Sequence, residues 1–460
     1  MRKMMGRENN EKLARLLAGA AFDIWDIYAE QSRTTAITCE DNRIDKIVSG
    51  IDSGTGVRGV KDFRTFYGFT NKEDFESLAA VASTLSAEKK TSNKNFTLSD
   101  IQTINPHKIK IYPADILTPE KITFVKALNE TARAVSGLIR QVSITYLEKT
   151  QTVEIINDLG RRVADTRIYC TVIMQVVAAK GNRIETAYKA ISGQKGYELI
   201  KEENFAKHIL AVAQRAVSLL EVDKKITGKM TAVLSSEAGG TLIHEAVGHS
   251  LEADIVQKDM SKYKGMVGKK VAAEIVSVVD DATLENKRGA FCFDDEGIPA
   301  QKTVLIEKGI LKGYMNDRIT ASRDKVSPTG NGRRESYKFK PIVRMSNTMI
   351  SPGTGNATAL IKDTKNGIFV KHMGGGEVNT VTGDFIFEVK EGYIIENGKI
   401  TEPVRDATLM GNGIEVLNSI DAVCDDLGFE VGTCGKDGQG VPVTDAQPTI
   451  RIPQILVGSK

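Results

Sequence analysis

The spacing of apolar positions changes character several times along the chain. Residues 11–22 place theirs at helical intervals and predict an amphipathic helix. Residues 25–69 are instead rich in Thr, Val, Ile and aromatics, repeatedly broken by Gly and Asp, and predict a set of antiparallel strands. Helical spacing returns over 72–83, a polar loop-like stretch fills 86–100, and Thr118 with Glu120 opens a helix that ends near Gly137. Long strands are predicted over 140–156, 162–179 and 183–191, joined at Gly160 and across Lys180-Gly181-Asn182, and a last helix over 198–220. Helices and strands alternate irregularly, so an α+β layer with an antiparallel sheet is preferred to a doubly wound fold.

After Lys229 glycine becomes frequent and helical spacing nearly vanishes. Lys308-Gly309 and Asn397-Gly398, each between short apolar runs, predict hairpins. A strand over 231–234 runs into Gly239-Gly240, after which Thr241 can cap a helix. A short helix is expected over 413–420. The reading is an N-terminal α+β domain over 1–225 and a mostly β domain over 226–460 that carries the one helix of interest. Gly54, Gly56 and Gly59 have the spacing of a dinucleotide fingerprint, but strand-like sequence follows where that fingerprint requires a helix.

Composition adds exclusions. The 460 residues are 41% hydrophobic and 26% charged, as in ordinary globular chains, and the formal net charge is only +3. No direct nucleic-acid binding is expected from so small a basic excess. The densest basic run, from Lys258 to Lys270, is interrupted by Gly265 and Gly268 and reads as a solvated loop. Five cysteines without CxxC spacing argue against a disulfide scaffold and for a reducing cytoplasm. No apolar run approaches the length that spans a bilayer, and none at the start resembles a signal peptide, so no membrane association is expected.

Chemistry concentrates in His244-Glu245-Ala246-Val247-Gly248-His249. Two imidazoles can hold zinc while a neighbouring carboxylate takes a proton from water. The usual HExxH spacing sets the two His about 40° apart around a helix, whereas the spacing here sets them about 140° apart. A regular α-helix cannot bring both to one metal. A π-bulge or local unwinding at Gly248 would. Only five histidines occur in the chain, and two are here. For a third ligand Glu252 and Asp254 are local candidates. Cys434, in the glycine-flanked stretch 432–440, is a stronger distant one whose thiolate Lys436 would favour.

These residues resemble the TldD/PmbA peptidases, also called modulators of DNA gyrase, and specifically their metal-bearing TldD side. The resemblance rests on the 244–249 string and Ser250 to Asp254, on Asp294-Asp295-Glu296-Gly297, Asn331-Gly332-Arg333-Arg334, Gly374 to Asn379 with Thr382 to Phe385, and Gly432 to Gln439, all in the shared order. It implies that His244, His249 and Cys434 bind one zinc ion per active subunit, with Glu245 as general base and Glu252 in a supporting role. It implies cleavage of unfolded peptide in a groove between two subunits, either a homodimer or a heterodimer with a metal-less relative. Gly374, Gly375, Gly376 and Asn379 are candidate substrate-binding residues, since a glycine-rich strand edge can add an extended peptide through its backbone. Arg333 and Arg334 read as internal ion-pairing residues. The rival class is a non-catalytic peptide-binding regulator of gyrase or of a toxin-antitoxin pair.

Overall fold

Residues 7–85, 96–102 and 105–459 are described by the computed structural model; residues 86–95 of the expected polar stretch lie outside them. Long alternating segments pair into a seven-stranded sheet over 24–193, whose order runs Arg64–Thr70, Arg43–Lys61, Ile24–Glu40, Ile139–Asn157, Arg161–Lys180, with Arg183–Gly193 also on the last. Every pairing is antiparallel except that of the short Ser99–Asp100. Strand alternation gives each face a purpose. Val142, Ile144, Tyr146, Val172, Met174 and Val176 bury against Val125, Leu128 and Ala132 of helix Thr118–Arg133 and Ile209, Val212, Ala213 and Ala216 of helix Phe205–Leu219. Helices Arg7–Ala18 and Phe75–Leu85 cover Trp25, Ile27 and Val57.

Two expected helices differ in extent. The first stops at Ala18, before Gly19, and Phe22 turns back so that its ring occupies the space a Cβ on Gly59 would need. The helix expected over 198–220 is two, Glu198–Glu202 and Phe205–Leu219, because Asn204 restarts it: its Oδ1 accepts a hydrogen bond from Lys207 N at 3.0 Å. Gly54, Gly56 and Gly59 all lie within strand Arg43–Lys61, where added Cβ atoms would meet Tyr337, Tyr67 and Phe22. Their spacing serves ring packing.

The second sheet has eleven strands between 228 and 459, and its spine is the 21-residue strand Gln439–Ser459. That strand pairs with Asn347–Ile350, Gly228–Leu234, Ala407–Asn412 and Ala422–Lys436 along its length. Both expected tight hairpins form, with Lys308, Gly309, Asn397 and Gly398 all at positive φ, as a type I′ turn demands. The short helix is Gly413–Ser419.

Where the two sheets meet, charge replaces oil. Asp294-Asp295-Glu296 is fully enclosed: Asp295 Oδ1 accepts from Arg167 at 2.9 Å, Glu296 Oε1 from Arg58 at 2.6 Å, and Asp294 from the backbone of Glu296, Ile298 and Gly332. Arg58 also pairs with Asp26, which accepts from Arg334 at 2.9 Å. Tyr28, Val153, Ile155 and Val163 of the first sheet pack beside this network on Cys292, Phe293 and Tyr337.

Candidate metal centre

Thr241–Ile243 starts as α-helix directly after the strand Gly228–Leu234 and the Gly239-Gly240 corner. Over His244–Gly248 the helix widens to a π turn, closed by a hydrogen bond from His249 N to His244 O. The wider turn absorbs the one residue by which the motif exceeds HExxH and brings the imidazoles onto one side, ring centroids 5.0 Å apart. Gly248 sits there with ordinary right-handed helical torsions, so its value lies in the space it leaves for Met345 rather than in backbone freedom.

Cys434 arrives from the antiparallel hairpin Ala422–Lys436/Gln439–Ser459, opposite Val441 in register. Its Sγ is 3.4 Å from His249 Nε2, and one donor atom each from His244, His249 and Cys434 lie within 4.8 Å of one another. Each imidazole is oriented from behind. His244 Nδ1 is 2.7 Å from Asp445 Oδ1, and His249 Nδ1 is 3.1 Å from Glu252 Oε2. With both Nδ1 atoms engaged by carboxylates, both Nε2 atoms are free to ligate, the arrangement that fixes tautomer and ring angle at metal sites.

The donor set fits zinc. Typical Zn–N and Zn–S bonds at tetrahedral angles separate nitrogen from sulfur by roughly 3.6 Å, close to the observed Sγ–Nε2 distance. Burial opposes ionisation of Cys434, but hydrogen bonds and charge from His244 and His249 outweigh it and hold the thiol down to about 5. Burial likewise opposes charge on His249, yet Glu252 and Cys434 push it up to about 10, so metal entry must displace protons. Glu245, half-buried between the imidazoles in sequence, is raised by desolvation against the lowering influence of both His residues.

Lys436 does not act on the thiol as its position in sequence suggested. Its Nζ donates to Glu252 Oε2 at 3.0 Å, Asp254 Oδ1 at 2.7 Å and Val343 O at 3.0 Å. Glu252, fully buried, therefore links His249 to a lysine, and Asp254 stands behind that lysine. Asp445 and Arg344 escaped the reading of the sequence. Asp445 falls on the same strand parity as Val441 and Val443, a carboxylate on the inward row, which is a legible signal. Arg344, wholly buried, donates to Cys434 O and to Gln439 O and so clamps the hairpin from within; nothing in its local sequence marks that role.

The glycine-rich stretch lies in strand Asn366–Val378, irregularly paired with Asp384–Glu396 from Val370 to Gly376. Its opposite edge pairs with Gly228–Leu234 only over Ile368–Val370, so beyond that point Gly374, Gly375 and Gly376 have no partner strand there among the described residues. An added Cβ would strike Lys390 at Gly374 and Phe387 at Gly376 but nothing at Gly375. Asn379 is exposed, and its Oδ1 is taken up locally: it accepts from Val381 N and Thr382 N and shapes the 379–383 turn. Arg334 pairs with Asp26, while Arg333 donates only to the carbonyls of Met345 and Pro442.

A fold of two sheets with a π-bulged His–Glu–His helix and a distant thiol matches a recognised class of metallopeptidase. Three family models cover the chain: PmbA/TldA metallopeptidase domain 1 over residues 25–88, the central domain over 111–221 and the C-terminal domain over 227–459. The chain belongs to this PmbA/TldD family. It is 37% identical over 450 residues to a metalloprotease TldD homolog of Haemophilus influenzae, covering 95% of this chain and 93% of that one. It is 36% identical over 452 residues to the metalloprotease MJ0996 of Methanocaldococcus jannaschii, covering 96% and 98%. A Thermotoga maritima protein described as a modulator of a DNA gyrase shares the fold, with TM-score 0.80 at 21% identity over 98% of this chain and 99% of that one.

Proposed function

We propose that the protein is a zinc-dependent peptidase acting on unfolded or extended peptides, with His244, His249 and Cys434 as ligands and Glu245 as general base. The observation that carries this reading is the convergence of three donors whose imidazoles are both backed by carboxylates at Nδ1. Zinc is favoured over harder cations because the set is imidazole and thiolate, and a 28% identical relative from Saccharolobus solfataricus is named a zinc metalloprotease.

A bound zinc supplies Lewis acidity and brings a water toward a pKa of about 7. Glu245, its carboxyl raised by burial against the lowering charges of His244 and His249, would take a proton from a water at this site and return it to the leaving amine. Asp445 and Glu252 keep the imidazoles in one tautomer and one orientation throughout. The unpaired edge at 374–376 lies in the strand that packs beside the π turn and offers backbone groups to an extended chain, which favours broad side-chain tolerance. Five buried, unpaired cysteines suit a cytoplasmic setting. The working unit in this proposal is a dimer, of two copies or with a metal-less relative.

The test compares wild type with Glu245→Gln after zinc loading on an unstructured peptide. Equal zinc content with at least a hundredfold slower cleavage in the variant is the expected result. Equal cleavage would eliminate Glu245 as base and favour a binding regulator.

A further inference from the structure

A pocket of about 280 Å³ lies between the first sheet and the far side of the Cys434 hairpin, away from the metal-facing row. Lys149 and Tyr169 enter it from the first sheet, Arg288 from a loop, Arg333 from the short strand Gly332–Arg333, and Thr433 and Pro442, a directly opposed cross-strand pair, from the hairpin. Strand alternation puts Thr433 and Pro442 on the face opposite Cys434 and Val441.

The cations here are unevenly matched. Arg167 and Arg334 also line the pocket, but each has a carboxylate partner, Asp295 and Asp26. Among the described residues Arg288 and Arg333 have no ion-pair partner, although the charge of Asp295 acts on Arg333. Arg288 donates to Gly432 O at 3.2 Å and to the hydroxyls of Thr171, Ser192 and Thr433, and stacks its guanidinium 5.7 Å from the Tyr169 ring centroid. Arg333, enclosed, reaches only two carbonyls. Burial pushes Arg333 down to about 10 and Arg288 downward as well, a cost that a bound anion would relieve. Lys149 is half-buried and acts by its charge on Glu30. The single carboxylate at the wall, Glu335, accepts from Gly440 N at 2.6 Å. Two guanidinium forks, an ammonium and a phenol converging from different sides suit an anion with oxygens in several directions better than a planar carboxylate.

We infer that this pocket is a binding site for a small multiply charged oxyanion of the phosphate class. Its occupant would sit on the two guanidiniums that hold the hairpin at Gly432, Thr433 and Pro442, and so brace the strand that presents Cys434.

Calorimetric titration of metal-stripped full-length protein with inorganic phosphate, at low chloride, tests this without interference from phosphate at a metal. One saturable site per chain is expected, with affinity at least tenfold weaker in Lys149→Met and in Arg288→Gln, and with a phosphate-dependent rise in melting temperature that both variants lose. Lys149→Met removes only a half-buried side chain, so its melting temperature without phosphate should match wild type and vouch for its fold. No saturable phosphate binding, or equal affinity in wild type and both variants, would overturn the site. Binding of succinate with phosphate silent would overturn the assignment to the phosphate class.

Discussion

A Cβ at residue 248 would stand 2.0 Å from Met345 Sδ, although the backbone there, at φ −53° and ψ −60°, accepts any residue. Gly248→Ala should therefore destabilise by overpacking, about 1–3 kcal/mol, and should couple to Met345. In a denaturation double-mutant cycle, Gly248→Ala should cost less on a Met345→Ala background than on wild type, and additive costs would show that the clash is not the cause. Glu430 shows a different residue-scale effect. It lies opposite Asp445 across the hairpin, and burial followed by the charge of Asp445, against Lys189, pushes its carboxyl from 4.5 up to about 7. Since the folded value exceeds the unfolded one, protonated Glu430 adds stability that is complete below pH 4.5 and lost as pH rises through about 7. Glu430→Gln should match wild type near pH 4.5 and exceed it by about 3 kcal/mol at pH 8.5, measured by urea denaturation; a difference constant across pH would contradict this.

Among elements, the strand carrying Gly374 to Gly376 offers the clearest test. Gly375 has open space where a Cβ would stand, and Gly375→Pro removes one backbone N–H from the stretch beyond the pairing with Gly228–Leu234. If an extended peptide adds there, KM should rise about tenfold with zinc content and kcat nearly unchanged; an unaltered KM would remove this edge from the binding site. Elements also show what could be read beforehand. The long alternating strands, both I′ hairpins and the bulge at 244–249 follow from local periodicity, turn chemistry and helix geometry, and all three were legible. The break at Asn204 was hidden because residues 198–220 keep helical spacing through it. The carboxylate behind His244, the arginine behind Cys434 and the true partners of Lys436 depend on pairings across 90 to 201 residues, and a single sequence does not state which strands meet.

At the scale of the molecule, the two sheets are joined through buried charge. Arg58, with no exposure, bridges Asp26 of the first sheet to Glu296 of the second half. Arg58→Met should cost about 3–5 kcal/mol, because buried Glu296 loses its counter-charge and Asp26 is left with Arg334 alone; a loss near zero in chemical denaturation would mean that the remaining contacts of the seam hold it without Arg58. Far from the metal, Asp295, Glu296 and Arg334 fasten the halves on which the site is mounted, through Arg167, Arg58 and Asp26. A last consequence concerns the order of synthesis. The donors at 244 and 249 leave the ribosome long before Cys434, 185 residues after His249, and before Asp445, which orients His244. On the proposed reading, a growing chain therefore lacks its third ligand until the hairpin over 422–459 is made, and it cannot hydrolyse a peptide before then.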